Sequence, residues 1–240
     1  NDTFMFEAMV NHRIEIKGIT FDIHLADIEE LNQLAIAGEA DITKISFNAF
    51  AKVSENYQLL TSGSALGRGV GPLVVSKRNI YPDELKHATI AIPGIETTAN
   101  MLFTIAYPEA QNKKVYLFSD IEDAVLSNEV DVGLIIHENR FTYEQKGLKK
   151  IVDLGEFWEK HTGLPIPLGG IAIRKSLPNE IKKRINLYLK QSIEFAFKHP
   201  KISYGYIRKY AQTMDENVMY KHIQLYVNNY SIELGSEGAK

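Results

Sequence analysis

The sequence predicts an α/β protein built as two lobes around a cleft, with largely parallel sheets. Three observations carry that expectation. Strand-like and helix-like stretches alternate almost from end to end of the 240 residues, which sets helices against sheet faces. One stretch also echoes another. Ala26-Asp27-Ile28-Glu29-Glu30 is similar to Ser119-Asp120-Ile121-Glu122-Asp123, and each runs through a helical segment to a similar exit, Glu39-Ala40-Asp41-Ile42 or Glu129-Val130-Asp131-Val132. A capped helix feeding a strand gives such an echo by itself; the other reading is two similarly built lobes. Finally, two Gly/Pro-rich stretches, Gly67-Arg68-Gly69-Val70-Gly71-Pro72 and Pro165-Ile166-Pro167-Leu168-Gly169-Gly170, lie where a chain would leave one lobe and return. The expected first lobe is therefore discontinuous, residues 1–72 and 168–240, with residues 73–167 inserted as a second lobe of ordinary small-domain size.

In chain order, Asn1, Asp2 and Thr3 are cap-forming residues before the apolar Phe4-Met5-Phe6, so a helix comes first. Ile19, Phe21, Ile23 and Leu25 alternate with polar residues and predict a half-buried strand. Asp27 caps a helix whose Ile28, Leu31, Leu34 and Ala35 share one face and which Gly38 ends. A short strand follows at 42–46, then strands at 71–76 and 89–93, with Pro82 suited to the first turn of a helix between them. Residues 97–107 read as a helix stopped by Pro108, strands at 115–118 and 132–136 flank a short helix, and 171–174 is the last strand. A helical tail completes the chain. Pro178 starts a long helix with Ile181, Ile185 and Leu189 on its buried face and Lys182-Lys183-Arg184 toward solvent, and Pro200 and Asp215 open two more helices. The tyrosines of this tail, from Tyr204 to Tyr230, suggest packing within the chain or at an interface such as that of a homodimer.

Composition narrows the function. With 45% hydrophobic and 24% charged residues the chain can bury a real core. A net charge of -3 argues against a nucleic-acid sleeve or a basic membrane binder. No apolar run approaches the ~18 residues of a membrane span. The absence of cysteine removes disulfides, a thiolate nucleophile and thiolate-held metals, and fits a reducing compartment. The sequence opens at Asn1 with no initiator Met, so the natural start is expected to have been removed and any localisation evidence there with it; a cytoplasmic protein is expected.

In open parallel sheets, ligands lie beyond the carboxyl ends of strands. One such end is Lys44-Ile45-Ser46; another is His137-Glu138-Asn139-Arg140, after the run Val132-Gly133-Leu134-Ile135-Ile136. If the lobes face each other, a cation, a hydroxyl and an imidazole converge, and an imidazole with a pKa near ~6.5 is the natural proton acceptor at neutral pH. A histidine after an apolar strand is also a common structural residue, and a strand-end lysine often only reaches solvent. A third candidate is Ile92-Pro93-Gly94-Ile95-Glu96-Thr97-Thr98-Ala99-Asn100, a strand and tight turn ahead of a helix. Such a terminus either seats a carboxylate or phosphate on free amides, or is simply capped by Thr97 or Thr98. The glycines at 67, 69 and 71 precede Pro72 and a strand, so they do not form a dinucleotide fingerprint, and no P-loop, zinc-protease or nucleophile-elbow pattern occurs. His137 and Glu138 are adjacent, and on a strand they would face opposite ways, which argues against a metal site. No cofactor is expected, and the expected ligand is a small anionic molecule.

Five strings in order carry a family resemblance: Asn1-Asp2-Thr3-Phe4; Thr43-Lys44-Ile45-Ser46; the run from Gly67 to Val75; the run from Ile135 to Tyr143; and the run from Thr162 to Gly169. Together, from Asn1 to about Gly235, they resemble the 1,4-dihydroxy-6-naphthoate synthases, menaquinone biosynthetic enzymes of the futalosine route. The resemblance implies a two-lobed, periplasmic-binding-protein-like (type II) fold with an interlobe cleft. It implies a cofactor-independent carbon–carbon lyase that converts cyclic dehypoxanthine futalosine to 1,4-dihydroxy-6-naphthoate and releases dihydroxyacetone. His137 matches the family's catalytic base. Lys44, Ile45 and Ser46 match a substrate-contacting segment, and Thr97, Thr98 and Ala99 match contacts from the second lobe. The Ser-Pro-Cys-Pro stretch that the family carries ahead of Asn-Asp-Thr is not in this sequence. The nearest enzymatic alternative is a chorismate dehydratase of the same pathway, against which the 135–143 segment argues. The non-catalytic alternative is a solute-binding protein for a small carboxylate.

Overall fold

The capping residues at the start do begin a helix: in α1 (Asp2–Val10) the Asn1 carbonyl accepts the amides of Phe4 and Met5, each at 3.1 Å. The computed structural model describes residues 1–210 and 215–238, so the expected first-lobe segment 168–240 is described except for 211–214 and 239–240. Phe4 and Met5 are buried and pack against the long helix of the tail, where Phe4 meets Phe197 edge-on with ring centroids 5.7 Å apart.

Residues 19–25 are not a strand. Ile19 and Phe21 lean on the core beside that helix, while Ile23 and Leu25 are 49% and 52% exposed. The alternation therefore records one-sided burial, with no neighbouring strand among the described residues to form a ladder. The helix after it is as expected. In α2 (Ile28–Ala37) the Asp27 carboxylate accepts the Glu29 amide at 2.8 Å and the Glu30 amide at 3.3 Å, and Gly38 at φ +71 ends the helix.

The first sheet contains β1 (Ile42–Ser46), β2 (Tyr57–Leu59), β3 (Ala65–Gly67) and a long strand, Ile166–Arg174. The short helix α3 (Phe47–Val53), which the sequence reading omitted, follows β1 directly. The second sheet contains β4 (Leu73–Ser76), β5 (Ile90–Ile92), β6 (Lys113–Val115), β7 (Val132–Ile135) and β8 (Lys149–Asp153), in the order β6-β5-β7-β4-β8. The strand expected at 115–118 thus lies two residues earlier, although the Tyr116 amide still bonds the Ile92 carbonyl at 3.0 Å. Numbered in order, the long strand Ile166–Arg174 is β9.

The expectation of largely parallel sheets is corrected. β1, β2 and β3 all run antiparallel to β9, and in the second sheet only β5 is parallel to its neighbours, β6 and β7; β4 is antiparallel to both β7 and β8. The stretch read as a second linker, 165–170, is the first half of β9. Its glycines have a packing cause: a Cβ on Gly169 would sit 2.5 Å from the Ile45 carbonyl oxygen of the paired strand. The two Gly/Pro-rich stretches consequently meet where β3 pairs with β9, with Gly67 opposite Ile166.

Burial follows the two-residue period of strands. In the second sheet Val74, Ile90, Ile92, Val132 and Leu134 face one apolar cluster, while Leu73, Val75, Ala91 and Ile135 face another. Both faces are covered, which is why these strands read as continuous apolar runs. In the first sheet Ile171 and Ile173 face α1 and α7 (Asn179–Lys198), and Ile45 and Ala172 face α3. Each such side chain contributes ~1.5–3 kcal/mol relative to exposure. Helices α4 (Thr98–Ala106), α5 (Ile121–Leu126) and α6 (Leu154–Thr162) cover the second sheet, and α8 (Pro200–Ile207) and α9 (Glu216–Tyr226) follow α7 in the tail. One part of the basic run on α7 departs from its expected solvated face. Lys182 is buried at 8% exposure, with Nζ donating to the Lys175 carbonyl at 2.9 Å. Among the described residues no helix is long and apolar enough to cross a membrane.

Candidate active site

β7 ends at Ile135, and the chain then coils into a short 3₁₀ helix, His137–Phe141, instead of continuing as a strand. The premise that His137 and Glu138 face opposite ways on a strand is therefore corrected. His137, the first residue of that turn, has φ +57, a left-handed conformation that costs a non-glycine residue ~1–3 kcal/mol. Its ring is half-buried, edge-on to Phe118 at 5.1 Å and 5.9 Å from the ring of His222 on α9. Burial, reinforced by the neighbouring His222, brings the His137 pKa down to about 4. At neutral pH the ring is unprotonated, which is the state a general base requires.

Glu138 and His222 complete the group. His222 Nδ1 lies 3.4 Å from Glu138 Oε2, and both side chains are 13% exposed. Burial by itself would raise the Glu138 carboxyl, but the hydrogen bond from His222 and the nearby imidazoles outweigh it and hold its pKa at about 2. Burial lowers the His222 pKa. The 3₁₀ turn is tied down from behind by Arg140, which donates to the Gly71 carbonyl and pairs with Asp153 Oδ2 at 2.7 Å.

Lys44 does not reach solvent. Its Nζ is 3.2 Å from Asp2 Oδ1 and donates to the Gly63 carbonyl at 3.3 Å, and the side chain is 9% exposed. Burial, the largest single influence, would raise the Asp2 carboxyl, but the charge and hydrogen bond of Lys44 together with the other positive neighbours outweigh it and keep the group below the usual carboxylate range; His137 acts on it in the same direction. Lys44, Asp2, His137, Glu138 and His222 are thus coupled electrostatically, joining the end of β1 to the end of β7 through the first turn of α1.

A second set of contacts clamps the turn after β5 onto the first sheet. Ser46 Oγ donates to the Glu96 carbonyl at 2.6 Å and Asn48 adds a bond at 3.1 Å. The Glu96 carboxylate is held by Lys52 Nζ at 2.6 Å, and the Glu96 amide donates to Glu29 Oε2 at 3.1 Å. Gly94 has φ +150, and a Cβ there would lie 2.3 Å from Glu29 Oε2, so the close approach needs glycine.

The remaining sequence candidates divide. Thr97 is the cap of α4: its hydroxyl accepts the Asn100 amide at 3.2 Å and donates to the Gly94 carbonyl at 2.8 Å. Thr98 Oγ1 donates to the Leu168 carbonyl of β9 at 2.8 Å. Ile45 and Ala99 point into apolar cores, which leaves only their backbone groups for a ligand. Asp2, Glu96, Glu138 and His222 were not singled out from sequence as site residues. A separate open groove of ≈ 650 Å³ between residues 14–17 and α7 shares no residue with this cluster.

The family described as menaquinone biosynthesis matches residues 1–240. A 1,4-dihydroxy-6-naphthoate synthase of Thermus thermophilus is 40% identical over 240 residues, covering 100% of this chain and 87% of that protein. One of Streptomyces coelicolor is 40% identical over 243 residues, covering 99% and 85%. The crystal structure of a protein from Archaeoglobus fulgidus superposes with a TM-score of 0.93 at 36% identity, covering 98% of this chain and 88% of that one. The substrate-binding protein of an amino acid ABC transporter shares the fold alone, with a TM-score of 0.56 at 17% identity over 88% and 87% of the two chains. The fold is the two-lobed, periplasmic-binding-protein-like type II fold with an interlobe cleft.

Proposed function

The chain belongs to the menaquinone biosynthesis family, and on that premise we propose that it is a carbon–carbon lyase, a 1,4-dihydroxy-6-naphthoate synthase acting on cyclic dehypoxanthine futalosine. In this reading His137 removes a proton next to a carbonyl-like carbon. That starts an elimination or retro-aldol cleavage that releases dihydroxyacetone, and formation of an aromatic ring drives it forward. The observation that carries the reading is His137 itself: an imidazole unprotonated at neutral pH, held in a left-handed turn at the carboxyl end of β7 beside Lys44 and Asp2. A positioned base of this kind contributes ~10²–10⁴-fold.

The first lobe comprises residues 1–72 and 168–240 and the second residues 73–167, which fits the separation of the two sheets at 67–73 and 153–166. Lys44, Ser46 and Ile45 line the substrate from the first lobe. Thr98 and Ala99 offer backbone amides of the first turn of α4 to an anionic group, with Thr97 holding that turn in shape. The protein works in the cytoplasm, where the substrate is a small carboxylate.

The test is incubation of the purified protein with cyclic dehypoxanthine futalosine, following the naphthoate by absorbance and mass spectrometry, with His137→Ala and His137→Asn alongside. Product from wild type and none from either variant, with substrate binding retained, is the expected result. Near wild-type turnover in either variant removes His137 as the base. Tight binding without product by wild type would instead identify a solute receptor.

A further inference from the structure

His222 lies outside every segment that carries the proposed function, yet its buried ring lies 5.9 Å from the His137 ring and acts on it electrostatically. Its two nitrogens have unequal surroundings. Nδ1 faces the Glu138 carboxylate, which is ionised at neutral pH and can only accept, so Nδ1 must carry the proton of the neutral ring. Nε2 is then a bare acceptor, and it is buried with no hydrogen-bond partner. Leaving such an atom unpaired is costly, which marks a partner that is present in another state of the site.

The geometry supplies that partner. The His137 and His222 rings are 5.9 Å apart between centroids and tilted by 35°, and ring nitrogens lie ~1.2 Å from a ring centroid by covalent geometry. Nitrogens turned fully toward each other are then ~3.5 Å apart, so an approach of the rings by a few tenths of an ångström makes a hydrogen bond. The nitrogen of neutral His137 that takes the substrate's proton is the bare one, so the other nitrogen carries a proton throughout and is the donor that His222 Nε2 lacks.

We propose that Glu138, His222 and His137 form a relay, in which His222, held by Glu138 through its Nδ1 proton, accepts at Nε2 a hydrogen bond from the N–H of His137, which leaves the other His137 nitrogen bare to take the substrate's proton. The proposal rests on His137 acting as the base. The balance is simple: one proton leaves the substrate for His137, no proton need leave His222, and the Glu138 carboxylate matches the new positive charge. The groups facing the relay are Asp2 from α1, Lys44 from β1 and Tyr226 from α9 itself. His222 is a positioning residue, since it reaches the substrate only through His137.

Two substitutions separate this role from packing. Asparagine places its amide near the Nδ1 position and keeps the bond to Glu138, but has no acceptor at Nε2. Glutamine reaches the Nε2 position with a carbonyl and gives up Glu138. The relay predicts that His222→Asn loses about 10–100-fold in kcat with KM and melting temperature unchanged, and that His222→Gln recovers at least about tenfold of that loss. Wild-type kcat in His222→Asn, or Asn performing better than Gln, overturns the relay. The tautomer is read independently by ¹⁵N-histidine NMR of the resting wild-type protein at neutral pH. A protonated Nδ1 and bare Nε2 support the relay, and an Nε2–H tautomer or an imidazolium at His222 overturns it whatever the substrate. If wild type produces no naphthoate, the lyase reading fails, and the spectrum alone then decides the placement of the His222 proton.

Discussion

Replacing Arg140 with methionine is expected to lower stability by about 3 kcal/mol, the low end of the ~3–5 kcal/mol cost of breaking a buried ion pair from one side. Methionine keeps most of the apolar stem, so the loss is chiefly electrostatic. Arg140 is 16% exposed and Asp153 3%, with 2.7 Å between Nη2 and Oδ2, so neither charge has water to fall back on. The low end applies because Asp153 retains two partners of its own, the amides of Gly155 at 2.8 Å and Glu156 at 3.2 Å at the start of α6. For a chain of this length ~2–4 °C accompanies each kcal/mol, so the melting temperature should fall by about 6–12 °C. The assay is thermal denaturation followed by circular dichroism on wild type, Arg140→Met, Asp153→Asn and the double variant. Asparagine still caps α6, so the double variant removes the orphaned charge and should melt above Arg140→Met by more than about 1 kcal/mol allows for error. A fall of under about 2 °C in Arg140→Met, or a double variant whose loss equals the sum of the singles, would refute the reasoning.

Further outcomes follow from the site. Because the His137 pKa lies at about 4, kcat/KM should hold level from neutral pH downward and fall only near 4; an acid limb near ~6.5 would place His137 in water. The same depression has a stability counterpart: the unfolded chain binds this proton at ~6.5 and the folded one only at about 4, so stability present above ~6.5 is lost as pH falls toward 4 in urea titrations. Gly94→Ala forces a side chain onto φ +150 and into the Glu29 carboxylate, and should cost ~1–3 kcal/mol by urea denaturation; an unchanged midpoint would mean that the turn relaxes freely. Lys44→Met should weaken binding of 1,4-dihydroxy-6-naphthoate about tenfold by calorimetry, as expected for a charge-assisted bond, and an unchanged Kd would assign Lys44 to Asp2 alone.

Much of the architecture was legible because it is local. Asp27 and Gly38 bracket α2 through their own backbone geometry, and the echo at Asp120 leads into a helix of 6 residues against 10 for α2, about one turn shorter, although Asp120 makes no side-chain cap. Residues 19–25 misled because alternation reports burial, and burial on one side does not supply a pairing partner. The start of β9 misled in the opposite sense. Gly169 looks like a loop residue but serves a close backbone approach, and Pro167 lies beyond the last β1 pair, Ser46 with Gly169, so that edge needs no amide from it. In the site, His137 and Lys44 could be found at strand ends. His222 could not: it sits among tyrosines on α9, no spacing rule links it to Glu138, and only the docking of α9 on the 3₁₀ turn brings them together.

The pairing of β9 sets an order on synthesis. Among the described residues β1, β2 and β3 pair with β9 alone, so residues 42–67 have no ladder until residue 174 has left the ribosome, whereas the second sheet is complete at Asp153. The second sheet can therefore fold while the first, begun earlier, still waits, with Ile45, Tyr57 and Leu66 uncovered. Closing the loop from Ser46 to Gly169 is then the late, entropically costly event, and the interval before it is when nascent chains are most exposed to one another. The strand that arrives last holds three earlier ones in place.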